Sequence, residues 1–376
     1  MKNRSRYLFN SINSLLFLLE FLIFSFACVS PKSTKEEFCT EIDFKKMNKI
    51  DIHCHINVER HAFMEQAQEY NFRILTINTD ASELNQTIED QERIAIIQRN
   101  AFPDHLAYLT SFSMAGWDNE DWQQKTIAAL EESFKKGAIG VKVWKNIGMV
   151  AKDKDGKFIM IDNPKFDPIF DYIEKKGKPV CGHLGEPKNC WLPIENMTVN
   201  NDKKYFAEHP EYHMYLHPEF PSYEDQINAR DNMLRKHPNL HFMGAHLGSL
   251  EWSTDELAKH LDTFPNMNVD LAGRMCHIEK QTVENWQKVY DFVIKYQDRI
   301  IYGTDEGDWI GADTDPEQLK EKVLTVWKRD WKFLTTDESM TSWEVDGTFK
   351  GLKLPKKVVE KIYYKNAMKI YPEGWK

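Results

Sequence analysis

The chain has 376 residues, a formal net charge of -9, 41% apolar residues and 28% charged residues, the make-up of an ordinary globular body. The acidic balance, with no stretch that concentrates Lys and Arg among aromatics, excludes a nucleic-acid backbone as the expected partner and leaves a small-molecule substrate. The length fits one α/β barrel with enlarged loops.

In chain order, Lys2, Arg4 and Arg6 precede an apolar run from Leu15 to Phe26, the pattern of an export signal over residues 1–27. The run is short for a bilayer, and Glu20 within it would cost roughly 2.5–3.5 kcal/mol at mid-membrane. Ser25-Phe26-Ala27-Cys28 is similar to a lipoprotein cleavage box, with Ser25 where an aliphatic residue is usual. Two readings stay open: a lipid on Cys28 tethers the chain to a membrane, or cleavage near Ala27 releases it. Either way the expected location is outside the cytoplasm, periplasmic or outer-membrane if the source is bacterial and secreted otherwise. Residues 28–47, polar and charged, read as a linker, and 48–376 as the folded domain. Besides Cys28 there are five cysteines, an odd number; Cys54 and Cys181 fall in predicted strands, so no disulfide framework is expected.

From residue 48, short β-branched or apolar runs alternate with amphipathic stretches, the signature of repeated βα units. Strands are predicted over 49–56, 73–78, 106–112, 139–144, 179–183, 240–246, 267–271 and 300–305. Eight is the number that closes a (β/α)8 TIM barrel. Helix ends are marked between them: Asp167-Pro168 opens one that Gly177 stops, and Ser253-x-x-Glu256 opens another. Long connections over 146–163, 186–221 and 306–353 follow strands four, five and eight, and are expected to build pocket walls and a lid.

Strand one reads Ile50-Asp51-Ile52-His53-Cys54-His55-Ile56. Alternation puts His53 and His55 on one face, with Ile52, Cys54 and Ile56 on the other. An isolated pair of this kind means little among 13 histidines. Three further strands, however, end in a potential ligand: Cys181-Gly182-His183, Gly244-Ala245-His246 and Gly303-Thr304-Asp305. Four histidines and an aspartate gathered at one rim of a barrel are costly unless a metal or hydrogen bonds satisfy them.

Taken with Gly140-Val141-Lys142, Asn268-Val269-Asp270 and Tyr364-Lys365-Asn366-Ala367, these segments resemble the amidohydrolase superfamily. The likeness is to the amidohydrolase-related branch that includes aminocarboxymuconate semialdehyde decarboxylase, and it covers nearly all of the chain after the export segment. The resemblance implies a divalent metal, usually zinc, on His53, His55, His183 and Asp305, with His246 catalytic. Such a site generates hydroxide at neutral pH; Asp305 would orient the water and take its proton, and His246 would donate to the developing oxyanion. It also implies a second possibility, two metals bridged by a carboxylated Lys142.

Arg274, just past strand seven, reads either as a clamp for an anionic substrate or as a surface ion pair. Trp144, Trp191 and Trp309 follow strands and could stack on a substrate ring or pack the insertions. His209, His213 and His217 recur every four residues, but Pro210 and Pro218 break the pattern, so they read as loop residues. The expected function is hydrolysis of an amide, ester or lactone; the alternatives are nonoxidative decarboxylation on the same ligands and a ligand-binding lipoprotein without chemistry. Oligomeric state is not legible.

Overall fold

A computed structural model describes residues 36–81, 86–311 and 314–375. The export segment, Cys28 and the first part of the linker lie outside the described residues. The linker's remainder differs from expectation. Glu41–Lys46 is a helix, opened by a reciprocal cap between Thr40 and Asp43, and Phe44 on it is buried. Lys49 Nζ donates to Met47 O at 2.9 Å, so the folded body begins before residue 48.

Parallel strands follow in chain order: β1 (Lys49–Ile56), β2 (Phe72–Ile77), β3 (Leu106–Ser111), β4 (Val141–Val143), β5 (Val180–Gly182), β6 (Phe242–Gly244), β7 (Met267–Asp270), β8 (Ile300–Ile301) and β9 (Glu306–Asp308). Each of the first seven pairs with the next in sequence, and β9 pairs with β1. β8 and β9 are two ends of one passage of chain: β8 lies against β7, while Ile52 N donates to Tyr302 O and Asp305 N to His53 O before β9 begins. That passage is the eighth barrel strand, and its pairing with β1 closes the (β/α)8 cylinder.

The interior holds Ile50, Ile52, Leu75, Ile77, Leu109, Cys181, Met243 and Ile301, and the C-terminal segment stops its lower end with Ala367, Tyr371 and Trp375. Trp375 Nε1 donates to Ile74 O at 3.1 Å. Cys54 and Ile56 belong instead to the layer between strands and helices, with Phe72, Ile74, Val141 and Val180. Ile52 and Cys54 therefore do not share a face, contrary to simple alternation. The reason is an extra residue in β1: Asp51 pairs with Ile74 but Cys54 pairs with Thr76, three steps against two. A bulge of this kind turns the side chains by one position. Below it Ile50 and Ile52 fill the barrel; above it His53 and His55 face the mouth.

The 306–353 segment is not a lid. Its longest element is the helix Pro316–Thr335, which covers β1 and β2 by stacking Trp327 on Phe72 at 4.0 Å. The rest includes a hairpin, β10 (Ser339–Ser342) and β11 (Val345–Lys350), set against the helix Met275–Lys295; nearby, Trp286 Nε1 bonds Gly351 O. The 186–221 insertion, built from short turns and the helix Asn200–Glu208, reaches the barrel mouth at Glu186, whose Oε2 is 3.9 Å from His183 Nε2. Its His213 Nε2 bonds Leu192 O and His217 Nε2 bonds Pro210 O, so both are structural.

Asp51, pointing out of the barrel, accepts from Thr304 N at 3.0 Å, Thr304 Oγ1 at 2.7 Å and Trp327 Nε1 at 3.1 Å. Burial nevertheless pushes its pKa up to about 6. Trp327→Phe keeps the ring stack but removes one donor from this buried carboxylate. The expected loss is about 1.5–3 kcal/mol of unfolding free energy, read as a lower urea midpoint at unchanged slope.

Candidate metal centre

His53 Nε2 and His55 Nε2 stand 3.4 and 3.3 Å from Asp305 Oδ1. Donors at bond lengths near 2.1 Å around a tetrahedral ion lie about 3.4 Å apart, so these three atoms already have the spacing of a shared coordination sphere. Each imidazole is fixed through its other nitrogen. His53 Nδ1 bonds Asp270 Oδ2 at 2.9 Å, and His55 Nδ1 bonds Ile77 O at 3.0 Å. An N–H given to an acceptor on the scaffold leaves the Nε2 lone pair facing the bowl, the support that metal-bound histidines receive in general. Trp309 stacks on His55 at 4.9 Å between ring centres and holds it from the solvent side.

The charges agree with ion binding. Burial first, then the nearby cation of Lys142, holds His53 well below its ordinary pKa, which keeps the ring neutral and its lone pair available. Asp305 is opposed by burial, but His246, His53 and His55 outweigh that and hold its carboxyl well below the usual range.

His246 does not end a strand. It sits just beyond β6 in a left-handed turn, with φ of 59° at His246, 58° at Leu247, 63° at Gly248 and 56° at Ser249. Left-handed backbone costs non-glycine residues roughly 1–2 kcal/mol each, and the turn is held from several sides. Asp270 Oδ1 accepts from His246 N at 2.7 Å, Ser249 Oγ bonds Gly185 O at 3.0 Å, and Arg230 donates to Gly248 O. His246 Nδ1 lies 2.8 Å from Ala272 O. A carbonyl can only accept, so Nδ1 carries the proton and Nε2 of the neutral ring is a base. The sequence leads one to expect a donor there; the Ala272 carbonyl gives the neutral ring the opposite polarity.

His183 is placed one ring further on. Its centroid is 4.2 Å from that of His246, and its Nε2, 3.9 Å from Glu186 Oε2, is buried without a hydrogen-bond partner. Among the described residues the close donor sets are His53-His55-Asp305 and His53-Cys181-Asp270, and His183 is outside both. A buried orphan nitrogen beside three converging donors is nonetheless what a fourth ligand looks like before an ion draws it in. Lys142 points inward as expected, with Nζ 3.2 Å from His53 Nε2 and 3.8 Å from Cys181 Sγ.

Of the aromatic candidates, Trp309 is at the centre, Trp144 lines a cleft beside it, and Trp191 packs in the insertion, bonded to Pro221 O at 3.3 Å. Arg274 lies next to Gly273, which faces Asp305 and His246. Asp270 escapes the sequence reading as a site residue, although it bonds both His53 and His246; its place at the end of strand seven, where the other strands carry ligands, is the signal that could have found it.

A family model described as amidohydrolase matches residues 50–372. No curated protein sequence matches the chain. Among solved structures, 2,6-dihydroxybenzoate decarboxylase from Rhizobium is similar, with a TM-score of 0.51, 14% identity and coverage of 86% of this chain and 98% of that one. The same kind of enzyme complexed with 2,6-dihydroxybenzoate gives a TM-score of 0.50 at 13% identity, covering 86% and 98%. A 4-oxalomesaconate hydratase from Rhodopseudomonas palustris gives 0.48 at 13%, covering 86% and 96%. At such identities the two decarboxylase likenesses speak for the barrel and not for the reaction. The family match spans β1, with its two histidines, through the segment that plugs the barrel floor, and on that extent the chain belongs to the amidohydrolase family.

Proposed function

We propose that the chain is a metal-dependent hydrolase acting on the carbonyl of an amide, ester or lactone. The observation that carries this reading is the set of imidazoles locked through Nδ1, His53 on Asp270, His55 on Ile77 O and His246 on Ala272 O, with the Nε2 atoms of His53 and His55 beside Asp305. His53, His55 and Asp305, joined by His183, would hold one divalent ion, most simply zinc, which when bound acidifies a water to a pKa of about 7 and polarises the substrate carbonyl.

His246 Nε2 then serves as the base. It takes the proton of the attacking water as the carbon–oxygen bond forms, and the imidazolium passes that proton to the leaving nitrogen or oxygen as the old bond breaks. Water is consumed, and an acid and an amine or alcohol are released. Asp305 anchors the site and orients the water through its second oxygen. Nonoxidative decarboxylation would use the same donors without consuming water, so products separate the two reactions. Carbon dioxide released from a carboxylated substrate, with no hydrolysed fragment, would overturn the hydrolase assignment.

We also propose that the enzyme is exported by residues 1–27 and carries its lipid on Cys28; the basic start, the apolar run and the Ala27-Cys28 pair support this.

In purified variants, Asp305→Ala and His53→Ala are expected to lose the metal by elemental analysis, whereas His246→Ala keeps it and loses about 100-fold or more in kcat. Metal loss in the His246 variant would point to a second ion between His183, His246 and a carboxylated Lys142. Asp270→Ala is expected to weaken metal affinity about 10- to 100-fold in a competition with a chelator, because His53 loses the partner that fixes its tautomer. Cys28→Ala is expected to shift the protein from the membrane fraction to the soluble one; an unchanged distribution would refute lipidation.

A further inference from the structure

A groove of about 460 Å³ runs through the helical layer between the helix Tyr223–Lys236 and the helix Thr254–Thr263. That volume is in the range of small-molecule sites. His53, His55, His183, His246 and Asp305 take no part in its walls. Tyr223, Ile227, Leu250, Trp252 and Phe264 supply its apolar and aromatic surface.

Two cations, Lys188 and Arg235, line the same groove without a carboxylate to neutralise them. Lys188 Nζ rests 3.9 Å from the ring centre of Trp252 and 5.3 Å from that of Tyr223, and the Arg235 guanidinium lies over Phe264 at 5.6 Å. Arg235 Nη1 bonds Asn232 Oδ1 at 2.9 Å, and among the described residues neither cation forms an ion pair. An aromatic face attracts a cation but accepts few of its N–H donors, which stay free for an anion. The acids in the walls are largely engaged. Asp231 accepts from Arg230 Nε at 3.0 Å and Nη2 at 2.7 Å and faces His260 Nε2 at 3.1 Å, and Glu256 pairs with Lys259 at 2.9 Å. Glu224 is exposed to water, where salt screens its charge.

The same walls hold the turn that carries His246. Trp252 Nε1 donates to Tyr223 Oη at 2.8 Å, and Tyr223 Oη donates to Ser249 O at 2.5 Å. On the other side Arg230, fixed by Asp231, donates to Gly248 O. Both carbonyls belong to the left-handed stretch from His246 to Ser249. Leu250 and Trp252, within three residues of that stretch, are themselves groove walls. A molecule that fastens Lys188, Tyr223 and Trp252 therefore also fastens the backbone that sets His246. A ligand shifts a conformation only through contacts that differ between the two states, and these contacts do.

We propose that this groove is an effector site for a small phosphomonoester with a flat apolar body, and that its occupancy tightens the His246 turn. The phosphate would sit on Lys188 and Arg235 and the body on the aromatic surface. Two unpaired cations match the roughly -1.5 to -2 charge of a phosphomonoester at neutral pH better than the single charge of a carboxylate. Arginine offers phosphate oxygens a planar fork of donors, and lysine adds a point charge. The site is the same whichever reaction the metal centre performs.

Phenyl phosphate is the probe, titrated calorimetrically into metal-free protein, with inorganic phosphate and phenol as the arms that lack the ring and the charge. Wild type is expected to bind phenyl phosphate at least about tenfold tighter than either arm. Lys188→Gln and Arg235→Gln are each expected to weaken it about fivefold or more at an unchanged melting temperature, and Asp305→Ala to leave it unchanged. Hydrogen exchange in peptides covering residues 246–252, followed by mass spectrometry, is expected to slow when the probe binds. Tyr223→Phe is expected to keep the affinity within about twofold and to lose that slowing, because the hydroxyl that joins the groove to Ser249 is gone. Equal affinity for the three probes, no binding, or full affinity in both cation variants overturns the site. Loss of binding in Asp305→Ala places the probe at the metal centre and does the same. Binding that leaves exchange unchanged in wild type, or slows it equally in Tyr223→Phe, overturns the link to His246.

Discussion

Asp305 N donates to His53 O at 2.8 Å, and a residue earlier Thr304 gives both its N–H and its hydroxyl to Asp51. This seam between the first strand and the eighth closes the barrel, and it also brings the two ends of the candidate donor set together. Histidines from one end of the domain meet a carboxylate from the other only because backbone hydrogen bonds fix the register there. A slip of one residue would turn His53 and His55 away from Asp305. The seam therefore ties the site's spacing to the stability of the fold, and Trp327 links it to the outer helical layer through Asp51.

Around that seam the site is built from hydrogen bonds that decide proton position. Asp270 serves two histidines at once, His53 through the ring and His246 through the backbone. Both His246 and Asp305 occupy left-handed backbone, with φ of 59° and 69°. Strain of this kind persists only where the surroundings over-determine it. Here the contacts of Asp270, Ser249 and Arg230 do so for His246, and the seam does so for Asp305. The result is a cluster of imidazoles gathered around one carboxylate.

Much of this was legible in the sequence. The alternation of strands and helices, the count of eight, and ligand-type residues at the ends of strands one, five, six and eight lead to a barrel with a metal at its mouth, and the family match agrees with the fold. Local patterns carry that much because strand periodicity and helix caps are properties of neighbouring residues. Local pattern misleads where distant residues intervene. The 306–353 segment looked like a lid because nothing local says that its helix packs on Phe72. Residues 36–46 looked like a tether because a polar run gives no sign that Phe44 finds a buried site.

Which residue types stand at the barrel rim, and in what order, follows from the chain's local pattern. Tertiary structure alone decided their polarity and their facing. A bulge in β1 lets Ile52 and His53 both point inward, and the Ala272 carbonyl fixes the His246 proton on Nδ1. Each of these depends on atoms far apart in the chain, and a hydrogen bond or a field from a distant residue leaves no trace in local composition.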